Sequence, residues 1–167
     1  MELKSEFESL LRKWGSEERV YEFLQDQASQ LAELIFENPV AIPNLQVLPS
    51  WLKCGIMGEH GKAAGTYDPA EKNQKAEIGI FATTLMDEDR SRRVLAHELI
   101  HHWEYLSRDV AATDGYSDDI DNLISEAFET KVQETIWRGR HSRRFIAKAS
   151  RVAEALGVSV RELLFGH

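Results

Sequence analysis

Apolar residues recur at helical intervals toward both ends of the chain, with a stretch of strand-like texture between them. Near the start, Ser5 followed by Glu8 makes a capping-box pattern, and Phe7, Leu10 and Leu11 fall on one face of a short helix. After Gly15, Ser16 can cap a longer helix in which Val20, Leu24, Ala28, Leu31 and Ile35 recur at steps of three and four. Asn38-Pro39 ends it, because the residue before a proline is pushed out of the α region.

From Pro39 to Leu85 prolines and glycines punctuate short runs of β-branched and aromatic residues, which predicts three strands. They fall at Trp51–Met57, Ala63–Tyr67 and Glu77–Phe81, the first two joined as a hairpin around Gly58-Glu59-His60-Gly61. In the third, Ile78 and Ile80 alternate with their neighbours, so one face should be buried and the other left available.

Asp87 to Asp89 place negative charge at the start of a helix that runs through Arg92 to about Leu106, with Leu95, Leu99 and Leu106 toward the core. The acidic stretch Asp114 to Asp121 reads as a loop, Ile120 to Trp137 as a helix stopped by Gly139, and Ser142 to Gly157 as another. Ser159 and Glu162 can cap one further turn. The expected class is α+β: N-terminal helices, a small three-stranded antiparallel-containing sheet, and a central helix packed with C-terminal helices. One domain is expected, with a helical segment over 1–38 and a core over 39–167.

Composition narrows the class. The charged fraction is 29% and the hydrophobic fraction 43%, which excludes disordered and fibrous chains. No apolar run is long enough for a membrane span, and the charged start lacks the apolar stretch of an export signal, so a cytoplasmic protein without membrane contact is expected. A lone cysteine, Cys54, makes no internal disulfide and no cysteine-based zinc ribbon, and reads as a small strand residue. The net charge is −8, so no protein-wide positive field draws in nucleic acid. From Arg138 onward, however, seven basic residues face two acidic ones, a local +5 that leaves −13 for the remainder. Such a bias marks either a solvated helix face or a surface for an anionic partner.

His97-Glu98-Leu99-Ile100-His101 carries the chemistry. Histidines four apart on a helix are offset by about 40°, so both rings can reach one Zn²⁺. Glu98, beside the first ligand, can take a proton from a water activated at the metal. The plain alternative is a pair of histidines satisfied by ordinary hydrogen bonds. An active zinc needs a third protein ligand. His141, at a helix junction, is one candidate; Glu126 and Glu129, 25 and 28 residues after His101, are the others and would make a two-His, one-carboxylate site. Spacing alone leaves the choice open.

The remaining candidates carry weaker signals. His102 points about 100° from His101, which puts it beside the site or at the surface. His60 reads as a loop residue, Trp103 as core, and Tyr67 and Tyr105 as packing residues able in principle to donate to an oxyanion.

The segment VLAHELIHHW (Val94 to Trp103), with GTYDP (Gly65 to Pro69) and EIGIF upstream and RHSRRF (Arg140 to Phe145) downstream, resembles the SprT-like zinc metallopeptidases, the family of the Spartan DNA–protein crosslink proteases. The resemblance spans about Trp51 to Gly157. It implies a zincin-like fold, a Zn²⁺ held by His97, His101 and His141, Ser142 in the place of a glycine, and Phe145 as the following aromatic. It also implies peptide-bond hydrolysis with Glu98 as the catalytic residue, a protein or peptide substrate, and DNA contact through the basic C-terminal third. The 40-residue interval from His101 to His141 is long for a compact member, which keeps Glu126 as the alternative ligand. An extended substrate could add to the strand Glu77 to Phe81 by backbone pairing. A non-catalytic partner-binding module is the competing class.

Overall fold

Val20, Leu24, Ala28, Leu31 and Ile35 all lie buried on one face of α2 (Glu17–Ile35), which Ser16 caps by accepting from the Arg19 N–H. The computed structural model describes residues 2–49, 64–70, 74–107 and 141–165. Helix α1 (Glu2–Trp14) precedes α2 and starts ahead of Ser5, so Ser5 lies inside the helix and its carbonyl accepts from the Ser9 hydroxyl. Leu10 is buried, whereas Leu11 is turned outward. The Trp14 indole N–H donates to the Leu85 carbonyl at 3.0 Å and ties α1 to the loop before the central helix.

Three strands form one mixed sheet in the order β1-β3-β2. They are β1 (Asn44–Leu48), β2 (Gly65–Asp68) and β3 (Glu77–Phe81). β3 pairs in parallel with β1 and antiparallel with β2, with Leu45 opposite Ile78 and Tyr67 opposite Ile78 in the two registers. The sheet is therefore mixed, and its parallel edge strand was not expected. Asn44–Leu48 is short and sits among Pro39, Pro43 and Pro49, a context that reads as loop. The expected strand over Trp51–Met57 and its hairpin turn lie outside the described residues. β3 also departs from a half-buried strand: Ile78, Gly79, Ile80 and Phe81 are all buried, because the strand is central.

After a single turn of 3₁₀ helix at Thr84–Met86 comes α3 (Glu88–Leu106), capped by Asp87, whose carboxylate accepts from the Arg90 N–H at 3.0 Å. Leu95 and Leu99 face the core as expected, but Leu106, in the last turn, is 51% exposed. α4 (Arg143–Leu156) begins at a Ser142 cap, and Gly157 ends it in the left-handed conformation at φ 70°. α5 (Val160–Phe165) follows. Among the described residues, one apolar cluster joins α1 and α2 through α3 to Leu163 and Leu164 of α5, so the N-terminal helices share the core of the rest. The expected helix Ile120–Trp137 and the acidic loop before it lie outside the described residues. No helix among them is long and apolar enough to cross a membrane.

The sheet meets α3 at Gly65. A Cβ there would stand 2.8 Å from Val94 Cγ1, 3.0 Å from the Gly79 carbonyl oxygen and 3.2 Å from Glu98 Cγ. Gly65→Ala is expected to push β2 off α3 and cost about 1–3 kcal/mol, read as a lower urea midpoint. An unchanged midpoint would contradict this packing.

Candidate metal centre

α3 is amphipathic enough to bury Leu95, Leu99 and Ile100, and the same register brings His97 and His101 out one turn apart. Their ring centroids are 5.0 Å apart. His141 enters from the residue before the Ser142 cap of α4, and its ring lies 4.9 Å from that of His97 and 5.3 Å from that of His101. Ser142 accepts from the Phe145 N–H and donates to the Glu104 carboxylate on α3, which fixes the start of α4 against α3 beside His141. One nitrogen of each imidazole lies within 4.8 Å of the others, and the His97 and His141 Nε2 atoms are 3.1 Å apart. These three half-buried residues can hold a metal ion.

Aromatic rings close the sides of the cluster. Phe145 sits 5.1, 4.4 and 4.4 Å from the rings of His97, His101 and His141, and Tyr67 of β2 lies parallel to His101 at 6.3 Å. Burial in this shell, reinforced by His97 and then His141, lowers the His101 pKa to about 2, so its lone pair is held without a proton. His97 Nδ1 donates to the Leu163 carbonyl at 2.9 Å, which leaves Nε2 as the nitrogen facing His141.

Glu98 is only 7% exposed, beneath Gly65 of β2, and burial raises its pKa to about 8. His102, expected beside the site or at the surface, is 6% exposed and buried: its Nδ1 pairs with the Tyr67 hydroxyl at 2.9 Å, and a backbone hydrogen bond links it to Ala41. Tyr67 thus turns its oxygen to His102 and its ring to His101, and burial, then Tyr105 and Asp68, raise its pKa to about 12. Tyr105 donates to the Ala70 carbonyl at 2.8 Å. Neither phenol is aimed at the imidazole cluster by these bonds.

Trp103 is buried as expected, with the Arg144 guanidinium 4.4 Å and the Lys148 ammonium 4.7 Å from its ring centroid. Two of the seven basic residues of the C-terminal third therefore stack on an indole of the core. Glu126, Glu129, His60, Cys54, Arg138 and Arg140 lie outside the described residues.

Spacing marked His97, Glu98 and His101, and the family resemblance favoured His141 as third ligand; the structure brings the three histidines together. The Leu163 carbonyl and the Tyr67–His102 bond were not anticipated, since a backbone acceptor leaves no trace in a sequence. No family model matches the chain, and neither a curated protein nor a solved structure matches it.

The two buried groups set opposite pH limits on the metal-free protein. Glu98, raised to about 8 from 4.5, favours the folded state at low pH, and that contribution is lost as pH rises from 4.5 to about 8. His101, lowered to about 2 from 6.5, favours it at high pH, and that contribution is lost as pH falls from 6.5 toward about 2. In chelator, Glu98→Gln is expected to gain thermal stability relative to wild type between about pH 5 and pH 9. Parallel melting profiles across that range would show that the carboxyl is not desolvated.

Proposed function

We propose that the chain is a zinc-dependent metallopeptidase of the SprT-like, zincin-like kind that its motifs resemble. The observation that carries this is the convergence of His97 and His101 of α3 with His141, which enters from the residue before the Ser142 cap of α4; Glu98, buried beneath Gly65, follows His97 in the chain. The donor set fits zinc: three neutral imidazoles are a known catalytic set, and nitrogens at 2.0–2.1 Å from a tetrahedral ion stand about 3.3 Å apart. The His97 and His141 Nε2 atoms, at 3.1 Å, are close to that separation. Such an ion would supply Lewis acidity, polarising the scissile carbonyl and acidifying the attacking water.

Glu98 is the catalytic residue of this reading. It takes a proton from the water as the new C–O bond forms and hands a proton to the amine nitrogen as the C–N bond breaks. Phe145 and the ring of Tyr67 keep bulk water from the ligand nitrogens on their sides. The strand expected to receive substrate cannot do so, because β3 is paired on both edges. β2 takes that role. Among the described residues nothing pairs with its outer edge, and it carries Gly65 against Glu98 and Tyr67 over His101. An extended peptide pairing there is bound through its backbone, which suits a protein substrate of loose sequence preference.

Glu98→Gln is expected to keep its zinc and to cleave an unfolded protein about 10²- to 10⁴-fold more slowly. Wild-type cleavage by the zinc-loaded variant would remove Glu98 from the mechanism. Metal analysis of His141→Ala and Glu126→Ala tests the ligand set, with zinc lost only from the first. Loss only from the second would establish the two-His, one-Glu site, and a wild-type chain that takes up no zinc would favour the non-catalytic module.

A further inference from the structure

The short helix α5 reaches the metal centre through its backbone. Gly157 donates to the Glu154 carbonyl and Val158 to that of Ala153, a reversal that folds α5 back beside α3 and α4. Ser159 and Glu162 then cap it reciprocally: the Ser159 N–H donates to Glu162 Oε2 at 2.9 Å, and the Glu162 N–H to Ser159 Oγ at 3.1 Å. Both residues are exposed, whereas Leu163 and Leu164 are buried in the core. The last carbonyls of a helix have no partner inside it, and that of Leu163 accepts from His97 Nδ1 at 2.9 Å. A histidine whose Nδ1 proton is held in this way presents Nε2 as its ligand atom, and outer partners of that kind fix both tautomer and ring orientation.

We infer that α5 is a positioning arm for His97, and that the exposed Ser159–Glu162 capping box tunes metal affinity by holding the Leu163 carbonyl in place. This rests on the reading of the three histidines as a zinc site. Leu163 acts through its backbone, so the arm has to be loosened from its exposed end, in the full chain. Ser159→Ala with Glu162→Ala removes both caps, Arg161→Gly independently lowers the helix propensity, and Ser159→Asp restores a capping oxygen.

The test is zinc affinity by competition with a chelating dye, together with long-range ¹⁵N spectra of the histidine rings in the zinc-loaded wild type. Loss of an outer partner costs about 10- to 100-fold in metal affinity, so the double variant is expected to bind zinc about tenfold more weakly and Ser159→Asp within about twofold of wild type. The spectra are expected to show His97 protonated at Nδ1 and metal-bound at Nε2. A purely structural α5 would lower the melting temperature of the chelated protein and leave zinc affinity unchanged. Wild-type affinity in both loosened variants, or His97 bound through Nδ1, would overturn the inference. A wild-type chain that binds no zinc would instead remove the reading beneath it.

Discussion

Three imidazoles have to bring one nitrogen each within 4.8 Å of the others, and β2, α4 and α5 all bear on that placement. Rings free to turn would relax apart, so each ring has to be held from outside. His97 is held by the Leu163 carbonyl, His101 lies between Tyr67 and Phe145, and His141 is anchored by the Ser142 cap and its bond to Glu104. β2, α4 and α5 each supply one of these supports, and α3 carries two of the rings themselves. The site is thus a junction of elements far apart in sequence, and it exists only when the fold is complete.

Exclusion of water is the second requirement, and glycine at Gly65 meets part of it. With no side chain there, β2 lies directly on α3 and covers Glu98, leaving a carboxyl with little hydration. A buried carboxyl is costly in a protein without an opposite charge nearby. Burial accordingly raises the Glu98 pKa to about 8, so the carboxyl holds its proton well above the usual carboxylate range. Tyr67 adds to this wall, and its oxygen is kept on the far side by His102.

Much of the site was legible in the sequence because its signals are periodic or spaced. The stripe of α2, the Ser16 and Ser159 caps, and the two histidines four apart all depend on residues close along the chain, and local geometry fixes what such patterns do. The misses were of another kind. β1 was hidden among prolines, and its parallel pairing with β3 depends on a partner about thirty positions away that no local pattern reveals. Of the two places open to His102, beside the site or at the surface, the structure takes the first, with a partner, Tyr67, that only the packing of β2 on α3 brings there. Leu106 followed the apolar stripe and still ended exposed, because on α3 the buried cluster ends at Trp103.

X-ray absorption at the zinc edge of the zinc-loaded chain addresses the convergence of the three rings most directly. The expected spectrum shows three imidazole nitrogens and one further light atom at about 2.0–2.1 Å. A shell of two imidazoles and a carboxylate, or protein that retains no zinc, would contradict it.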